Sequence, residues 1–240
     1  MNSSAPLLAR GIERYHFALR RLHSLTGIVP IGVFLVEHLL TNFGYLVGGS
    51  AKYEHDVGLI HQIPWLGLVE WVFIFLPIAF HAFYGFFITL TGKSNVRTYP
   101  YGGNIRYTLQ RIAGLVAFTF IVIHLLKYRF NFLLPGGWHF TAAEATEITI
   151  HGLRNPWVVG FYVVGIVAAA YHFANGIWTA LITWGVTLGP KAQYRAGWLC
   201  AVIGVVLGVM GLGSLFWFHF QWRPIFSVVT GAGPGGVGWL

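Results

Sequence analysis

Trp157–Leu181 reads WVVGFYVVGIVAAAYHFANGIWTAL and contains no Asp, Glu, Lys or Arg. A helix crosses the hydrocarbon core of a bilayer with about 20 largely apolar residues, and this stretch has that length with one imidazole, His172, inside it. Four further stretches share the pattern: Ile28–Val47, Leu66–Leu90, Ile112–Leu133 and Trp198–Phe220. Ile112–Leu133 carries Lys127 and Arg129 near its end, where long side chains snorkel to the interface. All five are too long for strands and lack period-two alternation. In hydrocarbon each backbone polar group must be satisfied within its own segment, which leaves helices. The expectation is an all-α membrane bundle of five transmembrane helices, forming one domain over residues 1–222, with a Gly-rich C-terminal tail at 223–240.

The whole chain agrees with that stretch. Of 240 residues, 56% are hydrophobic and 9% charged, and mean hydropathy is +0.65; soluble domains usually carry about a quarter charged residues. A soluble domain, a disordered chain and a charged coiled coil are all excluded. Cys200 is the single cysteine, which removes a disulfide framework, a thiolate iron–sulfur site and C-x-x-C-H haem attachment. Glycines of the tail (Gly231–Gly238) follow no strand and open no helix, so no dinucleotide fingerprint is present. Neither flavin nor iron–sulfur cluster is expected in this chain.

Net charge is +8 with His neutral. In a membrane chain that excess is first a question of sidedness. Arg10, Arg14, Arg20 and Arg21 precede the first span, Lys93, Arg97, Arg106 and Arg111 lie between the second and third, and Lys191 and Arg195 precede the fifth. Lys52, Lys127, Arg129, Arg154 and Arg223 fall on the other side. The bias predicts a cytoplasmic N-terminus and a C-terminus outside. Residues 1–21 have no apolar h-region, so insertion is expected through the spans themselves. A basic cytoplasmic rim suits anionic membrane lipid or an acidic protein partner; no nucleic acid is expected.

Eleven histidines are unusual in a chain with so few charges. His16, His23, His55, His61, His139, His151 and His219 lie in loops or near span ends, while His38, His81, His124 and His172 lie deep in the first four spans. Ionisable groups at that depth cost ~2.5–3.5 kcal/mol when charged and face the bundle interior. One imidazole per helix in four consecutive helices is what two bis-histidine haem sites require. A macrocycle lying between helices also needs small residues where it passes. Gly85 follows His81 at i+4 and Gly176 follows His172 at i+4, whereas Asn42 and Tyr128 take that place after His38 and His124. That difference pairs His81 with His172 and His38 with His124. At about 1.5 Å per residue, His38 lies about 25 Å beyond Arg21 and His81 about 18 Å before Lys93, so two stacked haems are expected to form an electron path across the membrane.

Several motifs occur in order: Arg20-Arg21-Leu22-His23-Ser24-Leu25-Thr26-Gly27 with Glu37-His38, Phe75-Leu76-Pro77 with His81-Ala82-Phe83-Tyr84-Gly85, Gln110-Arg111-Ile112-Ala113-Gly114 with His124, and His172-Phe173-Ala174-Asn175-Gly176-Ile177-Trp178 with Thr183-Trp184-Gly185-Val186-Thr187. Together they resemble the dihaem cytochrome b anchors of succinate:menaquinone oxidoreductases and the related fumarate reductases. The resemblance runs from about Arg20 to Pro190. It implies two b haems, one on His81/His172 nearer the cytoplasm and one on His38/His124 nearer the outside. It further implies a quinone, menaquinone by family, and a bacterial cytoplasmic (inner) membrane location. A flavoprotein subunit would oxidise succinate, and an iron–sulfur subunit docked on the basic loops would pass electrons to this chain.

For the quinone the outer side is favoured, with Glu37, Asn42, His55, His61, Glu70, Lys127 and Arg129 as candidates; Arg21, His23 and Ser24 are the inner alternative. Arg20, Arg21 and Arg111 are candidates for haem propionates, and Glu37, next to His38, for proton handling. Two other readings compete: a dihaem subunit of another quinone-linked complex of the nitrate reductase type, and a haem-free transporter whose histidines relay protons. The second predicts a colourless protein.

Overall fold

A computed structural model of the chain describes residues 7–134, 137 and 139–221; the expected tail, with Arg223, lies outside the described residues. Among the described residues every extended element is helical: α1 (Leu7–Ile28), α2 (Pro30–His61), α3 (Leu66–Glu70), a π-helical turn (Trp71–Phe75), α4 (Leu76–Thr91), α5 (Gly102–Tyr128), α6 (Ala145–Gly152), α7 (Pro156–Thr183) and α8 (Pro190–Gln221). Five stretches have the length and apolarity to cross a membrane: Tyr15–His61, Leu66–Thr91, Gly102–Tyr128, Pro156–Thr183 and Pro190–Gln221. Their count matches the expectation and their ends differ instructively.

The helical stretch that contains Ile28–Val47 extends beyond it on both sides. α1 runs almost unbroken into α2, because Val29 N–H donates to Leu25 O (2.9 Å) and Val33 N–H to Val29 O (3.3 Å). The break between them falls at Pro30, which lacks an N–H and sits at the first helical position of α2. Gly48-Gly49-Ser50 is not a loop: only Gly49 leaves helical geometry, at φ 70° and ψ −166°. A side chain disfavours that region, so glycine alone makes this kink cheaply. His55 and His61 therefore lie on the far part of a helix; His61 Nδ1 donates to Val57 O at 2.9 Å.

Pro77 would break a regular helix, since its ring meets the carbonyl four residues back. The turn just before it widens to π geometry, with Leu76 N–H donating to Trp71 O, and α3 and α4 continue as one rod. α5 stops at Tyr128, short of the expected Leu133. There Phe130 and Phe132 N–H donate back to Leu125 and Leu126 O, and Asn131 takes a left-handed φ of 58°. α7 begins at the Asn155-Pro156 signal, with Asn155 Oδ1 accepting from Trp157 N–H at 2.9 Å as an N-cap.

The described residues divide into two compact units: those within 7–37, 65–115 and 168–206 form the first, and those within 38–64, 116–167 and 207–221 the second. In the first unit α1 packs on α4, where His16 stacks on Phe87 (5.7 Å between centroids) and Tyr84 Oη donates to His16 O at 3.3 Å. The second unit has an aromatic core in which Tyr45 stacks on Phe218 at 4.3 Å and Tyr53, Ala145, Leu153 and Tyr162 are buried. Elsewhere large apolar side chains are exposed, among them Leu90, Trp157, Leu188 and Val205. An outer surface of that kind matches hydrocarbon rather than water.

Candidate functional site

The four deep histidines fall into the two pairs expected from sequence, one in each unit. In the first unit His81 of α4 and His172 of α7 have ring centroids 6.0 Å apart and planes at 90°. In the second, His38 of α2 and His124 of α5 are 5.6 Å apart at 79°. Two imidazoles bonded to opposite sides of one metal at ~2 Å per nitrogen would have centroids ~6 Å apart. Both separations are compatible with an iron between the rings. Among the described residues no group of three or more His, Cys, Asp or Glu is placed to bind a metal. Pairs suffice for haem, whose macrocycle supplies the other four nitrogens.

Each imidazole needs its tautomer fixed to present a lone pair. His81 Nδ1 lies 2.9 Å from His23 O, and His172 Nδ1 lies 3.0 Å from Gln110 O. A carbonyl only accepts, so Nδ1 carries the proton in both rings and Nε2 is left with its lone pair. Gln110 also answers with its side chain, donating from Nε2 to His172 O at 3.0 Å, and its Oε1 accepts from Asn175 Nδ2 at 2.8 Å. In the second unit His124 Nδ1 lies 3.2 Å from the Tyr162 hydroxyl, and Asn42 Nδ2 donates to His38 O at 2.7 Å.

Two glycines make room for the rings of the first pair. A Cβ on Gly27 would lie 2.5 Å from His81 Cε1, and one on Gly114 would lie 2.8 Å from His172 Cε1. These are not the glycines singled out by i+4 spacing. A Cβ on Gly85 would meet His23 Cε1 at 3.1 Å, and one on Gly176 would meet Gln110 Nε2 at 3.4 Å, so both make way for neighbours of the pair. His23, grouped above with span-end residues, stacks on His81 at 4.0 Å with its Nδ1 buried and unpartnered. Arg21 Nε, Arg111 Nε and Asn175 Oδ1, in the same unit, are also buried without a hydrogen-bond partner. Both arginines are half-buried, and Arg111 Nη2 donates to Ile88 O at 3.4 Å, so it is the spare Nε donors that suit acidic substituents. Arg20 is exposed.

Other sequence candidates are scattered. Asn42, His55, His61, Lys127 and Arg129 belong to the second unit, and Glu37 and Glu70 to the first. Glu37 is on the exposed side of α2, next to half-buried His38. Lys127 does not snorkel: it is 5% exposed, and its Nζ donates to Gly152 O. Its ammonium also lies over the rings of Tyr128 (5.1 Å) and Tyr162 (5.5 Å). On the inner candidates, Trp184 Nε1 donates to Ser24 Oγ at 2.9 Å, and Arg21 lies over Phe17 (4.4 Å) and Trp184 (5.3 Å). Sequence reasoning gave no role to Tyr162 or Gly152. Gln110 and Asn175 were visible only as motif members.

No family model matches the chain. The succinate dehydrogenase cytochrome b558 subunit of Bacillus subtilis (strain 168) is 33% identical over 202 residues, which cover 84% of this chain and 96% of that protein. Identity at that level over nearly the whole length of both chains, on five apolar helices carrying two histidine pairs, places the protein in the succinate dehydrogenase cytochrome b family, the multi-pass membrane-anchor subunits of succinate:quinone oxidoreductases.

Proposed function

We propose that the chain binds two b haems, one through His81 and His172 and one through His38 and His124, and so loaded carries electrons between an iron–sulfur subunit and a quinone. The observation that carries this reading is the pairing itself: two couples of imidazoles at 6.0 and 5.6 Å, with Nδ1 of His81, His172 and His124 each beside an oxygen partner. Haem held this way supplies a one-electron couple in a site lined by protein rather than water. His23 O, Gln110 O and Tyr162 Oη orient the rings, and Gly27 and Gly114 let two of them lie close to the neighbouring backbone. Arg21 and Arg111, with buried unpartnered Nε atoms, are suited to anionic propionates of the first site.

The distribution of Lys and Arg supports a cytoplasmic N-terminus, a C-terminus outside and an iron–sulfur subunit docked on the basic rim, with a flavoprotein subunit completing the complex. Quinone reduction on the outer side, with menaquinone as substrate, follows the family. Asn42, His55 and His61 on α2 supply polar groups there.

A reduced-minus-oxidised spectrum of the purified complex, with haem counted per chain, tests the reading. Two haems per chain together with copurified flavin and iron–sulfur subunits are expected. A colourless protein would overturn the reading in favour of a histidine proton relay. Two haems without succinate-dependent reduction would favour another quinone-linked complex.

A further inference from the structure

The two pairs differ in what their ligand rings lean on. In the first unit both Nδ1 atoms donate to backbone carbonyls, of His23 and Gln110. In the second, His124 Nδ1 meets a phenol, Tyr162 Oη, at 3.2 Å. Tyr162 is itself buried, and the Lys127 ammonium lies 5.5 Å from its ring centroid. Lys127 is buried with the Gly152 carbonyl as its acceptor, and among the described residues no carboxylate pairs with it. A charge in such surroundings is weakly screened, so its field reaches its neighbours with far more force than in water.

We infer that Tyr162 and Lys127 are tuning residues that set the reduction potential of the His38/His124 site. The inference rests on the haem reading above and deepens it. If Nε2 of His124 binds iron, its Nδ1 carries the proton and the Tyr162 oxygen must accept. Accepting from Nδ1–H makes the imidazole a stronger electron donor, which favours the oxidised form and lowers the potential. Lys127 acts in the opposite sense. A fixed positive charge favours the form carrying one more electron, and by drawing density from the Tyr162 ring it weakens that oxygen as an acceptor. The two groups therefore pull the same site in opposite directions. Neither has a counterpart among the partners of His81 and His172, which are held through main-chain atoms that no substitution removes.

Potentiometric titration of the intact complex, followed by absorbance of the reduced haems, tests this on the unaltered protein and on Tyr162→Phe, Lys127→Met and Lys127→Arg. Loss of one spectral component in His38→Ala assigns that component to the second pair. Tyr162→Phe is expected to raise its potential and Lys127→Met to lower it, each by roughly tenfold in the reduction equilibrium, about 59 mV for one electron. Lys127→Arg, which keeps the charge, is expected to leave it near the unaltered value, and the His81/His172 component stays fixed in all three. No movement in Tyr162→Phe and Lys127→Met, or equal movement of both components, overturns the inference. So does an equal shift in Lys127→Arg and Lys127→Met. Should Lys127→Met fail to assemble, Tyr162→Phe decides by itself. An unaltered complex without two haems would instead overturn the parent reading.

Discussion

Gln110 and His172 exchange hydrogen bonds in both directions. The Gln110 carbonyl takes the His172 Nδ1 proton at 3.0 Å, and the Gln110 side chain returns a bond to the His172 carbonyl at 3.0 Å. One residue on α5 thus fixes both the ring and the backbone of a proposed ligand on α7, and Asn175 Nδ2 secures the amide from the next turn at 2.8 Å. Gln110→Leu removes the side-chain half only. The ring keeps its acceptor, so haem should still bind, while His172 O loses its side-chain donor and Asn175 Nδ2 loses its acceptor, at a cost of about 1–3 kcal/mol. Thermal release of haem from the complex, followed by absorbance, should then occur at lower temperature with unchanged stoichiometry. An unaltered release temperature would show that the clasp is dispensable.

His23 and His81 stack at 4.0 Å and separate by substitution. What His23 offers His81 is its backbone carbonyl, which survives any side-chain change. His23→Ala should therefore retain two haems per chain and lose only the stacking, worth about 0.5–1.5 kcal/mol. His81→Ala should retain one. Haem analysis of the two purified variants measures the difference directly. Loss of a haem in His23→Ala would make His23 more than a neighbour.

Legibility from sequence followed what the chemistry marks. Trp157–Leu181 anticipated α7 (Pro156–Thr183) almost to the residue, because a long run without Asp, Glu, Lys or Arg that follows Asn155-Pro156 is unambiguous. The four deep histidines stood out because an imidazole inside an apolar run has a cost that needs a reason. Ile28–Val47, expected as the first span, ends close to two interruptions of the helix, at Val29-Pro30 and at Gly49. What the apolar run did not reveal is the helix on either side, since polar residues such as Glu54 and Asp56 continue α2 beyond Gly49. The carbonyls that fix His81 and His172 could not be foreseen, since every residue has one and only packing selects which is used. Tyr162 gave no signal because buried tyrosine is ordinary. Lys127 looked like a snorkelling cation until the chain beyond Tyr128 folded back and offered it the Gly152 carbonyl.

Gly114→Ala tests how tightly His172 is seated. The added methyl would lie 2.8 Å from Cε1 and 3.0 Å from Nδ1 of the ring, with no flexible tail to yield, because the ring is held at Gln110 O. Either the ring tilts off its acceptor or α5 and α7 part slightly, an overpacking cost of about 1–3 kcal/mol. The expected result is weakened or lost haem at the His81/His172 site with the other spectral component intact. Gly160→Ala is the control, because a Cβ there meets nothing within 4 Å. Equal spectra for the two variants would contradict the packing argument.

Gly152 is where Lys127 and Tyr128 converge. A Cβ at that position would lie 2.5 Å from Tyr128 Oη and 3.2 Å from Lys127 Cε, while the carbonyl that accepts from Lys127 Nζ would remain. Gly152→Ala therefore leaves the chemical groups in place and changes only the room they have. Tyr128 Oη is buried without a partner, so it has no bond to sacrifice by moving, whereas Lys127 must lengthen its one hydrogen bond to do so. The variant should lose about 1–3 kcal/mol of stability, read as an earlier thermal transition of the complex. Lys127→Met in the same background should add less than it does alone, since residues sharing one contact are not additive. Fully additive losses in that double-mutant comparison would show that the methyl acts elsewhere than on Lys127.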